Sequence, residues 1–133
     1  MSKGGIGVIL DNDNLKPIYV QIADWLENEI LCGNIRSDEK IYSQYQLAEM
    51  FTINPATAAK GLNILTSENI LYKKRGLGMF VVLDAREVIR EKRKTQTLKT
   101  LTLNLVIEAN MLDLEEKEIL DMVSKVIKES REG

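Results

Sequence analysis

The amino-acid sequence predicts a mostly helical α+β fold, with three helices and a β-hairpin in its first part and two helices in its second. Three observations predict this fold class. Apolar residues recur at helical spacing in five segments, two short β-rich segments flank a glycine-containing loop, and the composition shifts to a charged run after Leu83. We therefore expect one domain over residues 10–83 and a helical region over residues 84–133.

The first helix is predicted over about residues 17–32. Pro17 near its first turn and Gly33 just past its end are typical of helix boundaries. Its apolar positions recur at helical spacing: Ile18, Ile22, Leu26 and Ile30. The single cysteine, Cys32, falls in this pattern, so we expect a small, partly buried side chain with no internal disulfide.

Two further helices follow, separated by a short break. Ser43 and Gln46 form a capping-box pattern, which predicts a helix over about 44–51. In Asn54-Pro55, the asparagine can cap a helix and the proline can take its first position. We therefore predict a third helix over about 55–67. The expected inward-facing residues of the two helices are Leu47, Ala48, Phe51, Ala58, Leu62 and Leu65.

The β-rich segments 70–75 and 79–83 flank Gly76-Leu77-Gly78, which predicts a β-hairpin. Three helices followed by a hairpin, with a few residues between the second and third helices, is the order of a winged helix-turn-helix domain. The hairpin is then the wing. A structural helical hairpin with a β appendage has the same order without binding DNA, so the pattern alone leaves both interpretations open.

The second part begins with the charged run 84–94 and continues with apolar residues at spacings of three and four. These spacings favour one long helix over about 84–111, although Leu101, Leu103 and Leu105 also alternate as they would in a strand. Asp113 and Glu116 form a second capping-box pattern, before an amphipathic helix that ends near residue 130.

The apolar stripes of these two helices need a partner, and the simplest one is a second copy of the chain. Folding of the tail onto the first domain of the same chain is the alternative. Under the first interpretation, we predict that these residues form the dimer contact: Leu98, Leu101, Leu105, Leu112, Ile119, Val123, Val126 and Ile127.

Composition argues against several classes of protein. The 133 residues include no histidine, the commonest general base and zinc ligand, and show neither a nucleophile motif nor a phosphate-binding glycine loop. We therefore expect no enzyme activity, no cofactor and no metal. No apolar run approaches the ~18 residues of a membrane span, and residues 1–5 do not read as a secretory signal, so we expect a cytoplasmic protein.

Three segments occur in order at natural spacing: PIYVQIADWLENEILCGNI (17–35), YSQYQLAEMFTINPATAAKGLNIL (42–65) and ENILYKKRGLGMFV (68–81). Together they resemble the GntR family of bacterial repressors. Asn54-Pro55 and the roughly 50-residue C-terminal part resemble the small YtrA-like branch of that family. The resemblance implies a winged helix-turn-helix DNA-binding domain, a two-helix dimerisation tail and no large effector-binding domain.

The chain departs from the family pattern at several positions. Tyr45 replaces an arginine that contacts DNA in most members, and Pro55 also stands where an arginine is usual. Ala58 replaces a valine, Gly61 an alanine and Met79 a threonine. Gly61 lies in the middle of a predicted helix, where it should cost on the order of 1 kcal/mol relative to alanine. These changes bear on operator affinity or operator sequence.

In a winged helix of this type, the third helix lies in the major groove and the hairpin reaches the flanking backbone or the minor groove. The start of the second helix favours a phosphate. Cations beside the wing glycines can approach DNA closely. The predicted DNA-binding residues are Ser43, Gln44, Tyr45, Asn54, Ala56, Thr57, Lys60, Lys73, Lys74, Arg75, Gly76 and Gly78. The basic residues within 84–94 either extend this surface or belong to a solvated helix.

The function expected from these features is a transcriptional regulator, in the form of a repressor that binds an inverted-repeat operator in double-stranded DNA as a homodimer. With a formal net charge of −2, binding must depend on local placement of cations. The alternative is a winged-helix module for protein or RNA interaction with weakened DNA binding, which the loss of arginine at Tyr45 and Pro55 supports. A small-molecule effector stays open, because no residue cluster identifies one.

Overall fold

The computed structural model describes residues 15–132. In it the chain divides into two compact units after Glu91. The helix that follows the hairpin belongs to the first unit, because Ala85 and Ile89 are fully buried in that unit's hydrophobic core.

Three helices form most of the first unit: α1 (Ile18–Leu31), α2 (Gln44–Phe51) and α3 (Pro55–Ser67). They agree closely with the predicted bounds. The predicted capping box is present, since Ser43 Oγ accepts a hydrogen bond from the Gln46 backbone N–H (3.1 Å) and Gln46 Oε1 accepts one from the Ser43 N–H (2.8 Å). The buried side chains between the helices include Ile22, Leu26, Ile30, Leu47, Ala58, Leu62 and Leu65.

The helices α1 and α3 approach each other closely at Gly61 of α3. A Cβ atom on Gly61 would lie 2.9 Å from the backbone oxygen of Tyr19 and 3.1 Å from Cγ2 of Ile22, both in α1. A side chain at this position would therefore collide with the α1 backbone. The intrinsic helix cost expected for this glycine is offset by the packing that it permits.

The wing is an antiparallel hairpin of β1 (Leu71–Lys74) and β2 (Gly78–Val81). Sequence reasoning did not anticipate that residues 38–41 run along the free edge of β2. The Asp38 and Ile41 N–H groups donate to the carbonyls of Val81 and Met79, each at 2.8 Å, and the Val81 N–H donates to the carbonyl of Glu39 at 2.9 Å. This pairing anchors the hairpin beside the start of α2.

The expectation that Cys32 is partly buried is wrong. The helix α1 ends at Leu31, Cys32 is its C-terminal cap, and the thiol is exposed. The cysteine continues the apolar pattern in the sequence, but the chain turns away at Gly33, where φ is +85°. The side chain therefore lies beyond the last turn that faces the core.

After the wing, α4 (Ala85–Lys92), a π-helical segment (Arg93–Leu98) and α5 (Lys99–Met111) follow. The predicted helix over 84–111 has the right extent, but it contains a widened π turn. The final helix, α6, covers Glu116–Glu132.

The predicted capping box at Asp113 and Glu116 is wrong by two residues. Asp113 adopts a left-handed conformation (φ 56°) at the end of α5, where the Leu114 N–H donates to the Ala109 carbonyl at 3.0 Å. The acidic side chain that reaches back at the start of α6 is that of Glu118, which accepts from the Glu115 N–H at 3.4 Å. The Asp113 position is needed to terminate α5, so it cannot also cap α6.

Candidate nucleic-acid interface

The helix α3 has a buried face and an opposite, outward face. Ala58, Gly61, Leu62 and Leu65 are buried. The outward face forms a stripe, the outward stripe, of Ala56, Ala59, Lys60, Asn63 and Ser67. Asn54 fixes the start of the helix, because its side-chain oxygen accepts the Ala56 N–H at 2.7 Å. Thr57 is half-buried beside the stripe.

A groove of about 270 Å³ lies between the start of α2, α3 and the wing. It brings together five predicted site residues, namely Ser43, Gln44, Tyr45, Lys73 and Gly78. The other predicted DNA-binding residues lie outside its lining. The remaining lining residues are Lys40, Ile41, Tyr42, Ala59, Leu62, Asn63 and Met79. The groove therefore joins the first turn of α2 to the outward stripe of α3.

Lys40 is a groove residue that sequence reasoning missed. Its side chain passes over Gly78, so close that a Cβ atom there would lie 2.8 Å from the Lys40 Cε. Gly78 has φ +113°, which disfavours any other residue. Lys40 reaches the groove because residues 38–41 pair with β2. The sequence of this segment does not alternate as a strand does, so it gives no signal of that pairing.

The two lysines of β1 lie on opposite faces of the hairpin, as neighbours in a strand must. Lys73 pairs with Met79 and lines the groove. Lys74 is on the other face, where its ammonium lies 4.3 Å from the centroid of the Phe80 ring. Arg75 and Gly76 form the exposed tip of the wing, with Gly76 at φ +79°. The three consecutive cations therefore do not form one surface.

At the start of α2 the Ser43 hydroxyl accepts a backbone hydrogen bond, so its role there is to cap the helix. Gln44 and Tyr45 occupy the first turn, and Tyr45 is 70% exposed. Backbone N–H groups at a helix start, together with the helix dipole, attract anions. With the ammonium groups of Lys40 and Lys73 in the same groove, this site has the chemistry of a phosphate-backbone contact.

Lys60 belongs to the outward stripe but does not line the groove. Its ammonium is 5.5 Å from the centroid of the Tyr19 ring of α1, a distance suited to a cation–π contact. Ala59 and Asn63, in contrast, line the groove. Within the outward stripe, Lys60 therefore lies toward α1, whereas Ala59 and Asn63 lie toward the wing.

In the second unit, the predicted dimer-contact residues are largely uncovered. Leu98, Leu101, Leu105, Leu112, Val123, Val126 and Ile127 are exposed, and Ile119 is half-buried. Among the described residues of this unit, Ala109 alone is buried. The helices α5 and α6 do not pack along each other.

The helix α5 also has a second apolar stripe that the sequence analysis did not separate from the first. Leu103, Ile107 and Met111 follow each other at intervals of four residues and are all exposed. On a helical wheel, Leu103 and Ile107 lie roughly opposite the stripe of Leu101 and Leu105, and Met111 lies between Ile107 and that stripe. A helix that is apolar on two sides needs to be buried on both.

None of the helices between residues 15 and 132 is both long and apolar enough to cross a lipid bilayer.

Comparison with known proteins agrees with this architecture. Residues 18–81 match the family model of bacterial regulatory proteins of the GntR family. The crystal structure of a GntR-family transcriptional regulator from Bacteroides thetaiotaomicron is 32% identical, with a TM-score of 0.74 over 86% of this chain and 99% of that chain.

The HTH-type transcriptional repressor YtrA of Bacillus subtilis is 25% identical over 124 residues, which are 93% of this chain and 95% of that protein. The AraR DNA-binding domain, solved in complex with operator ORE1, is 30% identical, with a TM-score of 0.50 over 55% of this chain and 89% of that chain. Two curated repressors that match 65 and 86 residues are longer proteins, of which the chain spans 27% and 23%.

A winged helix-turn-helix followed by a helical C-terminal region is thus common to this chain and to the Bacteroides regulator, which is matched over 99% of its chain. The matches are to regulators and not to enzymes. The chain belongs to the GntR family of bacterial regulatory proteins.

Proposed function

We propose that the protein is a cytoplasmic transcriptional repressor that binds an inverted-repeat operator as a homodimer. The observation that carries this proposal is the groove in which the first turn of α2, the outward stripe of α3 and two lysines meet. The relatives named as repressors, and the operator-bound AraR domain, support the choice of double-stranded DNA as the ligand.

The distribution of charge supports DNA binding despite the net charge of −2. Lys40 and Lys73 line the groove, Arg75 is at the tip of the wing and Lys60 is on the outward stripe of α3. If each of the four neutralises one phosphate, a dimer makes about eight contacts, and log affinity should fall against log salt concentration with a slope of roughly −7. Lys74 is not part of this set, because it lies on the opposite face of the hairpin.

The homodimer is proposed from the second unit. Its helices carry exposed apolar stripes, α5 on two sides, and do not cover one another. A second copy offers the same stripes, and a two-fold axis lets each helix contact its counterpart. Two-fold symmetry of the protein then requires two-fold symmetry of the operator, with half-sites about one helical turn apart or a multiple of it.

The test is a selection of bound sequences from a library of random duplexes by the purified full chain at low salt, combined with sedimentation equilibrium. The proposal expects a dimer that enriches a palindromic motif. If no duplex is enriched and the chain instead binds RNA or protein, the interaction-module alternative is correct. A monomeric chain would overturn the dimer separately.

A further inference from the structure

We propose that α3 recognises A·T base pairs, through methyl contacts with thymine and an amide contact with adenine, so that the operator half-sites are A·T-rich at their centre. The inference rests on the proposed function and specifies what the DNA-reading surface selects. The observation behind it is the composition of the outward stripe of α3, together with the positions of its members relative to the groove.

The helix α3 offers little for the recognition of guanine. The most frequent specific contact with guanine in the major groove is the paired hydrogen bond from arginine or lysine to O6 and N7. The helix Pro55–Ser67 contains no arginine, and its single lysine is Lys60. The ammonium of Lys60 lies near the Tyr19 ring on the α1 side of the helix, which favours contact with the DNA backbone over contact with a base.

The outward stripe of α3 presents two alanine methyl groups. Ala56 is exposed, and Ala59 lines the groove. Alanine methyl groups contact the thymine C5-methyl group, which among the four bases projects into the major groove only from thymine. Two such methyl groups on one stripe favour thymine and offer nothing to the amino group of cytosine.

Asn63 lies one turn after Ala59 on the groove side of α3. Its amide is exposed and makes no hydrogen bond to any residue of the described chain. An asparagine amide donates and accepts in the pattern that pairs with N7 and the N6 amino group of adenine. One helical turn rises about 5.4 Å. Ala59 and Asn63 would therefore contact base pairs one or two steps apart.

A preference for A·T pairs also has a second source, which the test must separate. The minor groove of A·T-rich DNA is narrow and attracts an inserted arginine, and Arg75 is at the tip of the wing. Replacement of thymine by uracil removes the C5-methyl group from the major groove and leaves the hydrogen-bonding groups of the minor-groove edge unchanged. Uracil should therefore weaken a preference that comes from methyl contacts of α3 and leave unchanged one that comes from Arg75 in the minor groove.

The experiment measures fluorescence-anisotropy titrations of the full chain with the duplex selected above, and with the same duplex carrying uracil for thymine at single half-site positions. Loss of a methyl contact should weaken binding on the order of fivefold at one or two positions. Uracil in the spacer between half-sites is the control and should change nothing. Asn63→Ala should remove the preference for adenine at one position per half-site, whereas Lys60→Ala should weaken binding to all sequences alike.

The outcomes distinguish this inference from the function on which it rests. If the selection enriches no duplex, the proposed function fails. If it enriches half-sites with guanine at their centre, or if uracil has no effect at any half-site position, the chain is still a DNA-binding repressor but α3 does not read A·T pairs as proposed. An unchanged preference in Asn63→Ala would assign the adenine contact to another residue and overturn the inference for Asn63.

Discussion

The backbone oxygen of Tyr19 lies 2.9 Å from the position that a Cβ atom on Gly61 would occupy, so α1 and α3 are in contact where α3 has no side chain. Helix propensity alone would make Gly61→Ala stabilising by about 1 kcal/mol. The contact with a backbone atom makes the change unfavourable instead, because overpacking of a fitted interface costs roughly 1–3 kcal/mol.

We therefore expect Gly61→Ala to lower the free energy of unfolding slightly and Gly61→Val to lower it by more than 1 kcal/mol. Urea denaturation measures both changes. Asn63→Ala, at an exposed position on the same helix, is the matched control, and its higher helix propensity should raise the free energy of unfolding by about 0.5 kcal/mol. A more stable Gly61→Ala protein would show that the distance between α1 and α3 is not limited by this residue.

The cap of α2 gives a second prediction. Replacement of Ser43 by alanine removes the acceptor for the Gln46 N–H, and loss of such a cap costs about 1 kcal/mol. Because the first turn of α2 borders the groove, Ser43→Ala should also weaken DNA binding. Ser43→Asp retains an acceptor and should retain stability. Thermal unfolding of the two variants compares them, and equal melting temperatures would contradict the cap's role.

A third prediction concerns the tail. Leu105→Glu places a carboxylate in the first apolar stripe of α5, and Ile107→Glu places one in the second, so each should shift the protein from dimer to monomer if both stripes are buried in the dimer. Sedimentation equilibrium measures the shift. Lys117→Glu, at an exposed polar position of α6, is the control. A dimer that survives Ile107→Glu would limit the interface to one side of α5.

The bounds of α1, α2 and α3 could be predicted because their signals are local. The apolar repeat, the Ser43 cap and Asn54-Pro55 act within one or two turns of the chain. The pairing of residues 38–41 with β2 could not be predicted, because it joins segments about 40 residues apart and the first of them has no strand pattern. Lys40 was missed for the same reason.

The sequence indicates candidate site residues one at a time and does not indicate which of them share a surface. Lys73 and Lys74 are equivalent in the sequence, and only the register of the hairpin places them on opposite faces. Asp113 illustrates the same limit at the start of α6. Its acidic side chain fits a capping box, but the requirement for a left-handed residue at the end of α5 takes precedence.

The most direct test of the account is the salt dependence of operator binding by wild type, by Lys40→Ala/Lys73→Ala and by Lys74→Ala. We expect a slope of roughly −7 for wild type and a slope about 3.6 units shallower for the double variant, since four cations per dimer are lost. Lys74→Ala should leave the slope unchanged. Equal slopes for wild type and the double variant, or a slope changed only in Lys74→Ala, would contradict the claim that the groove holds the DNA backbone.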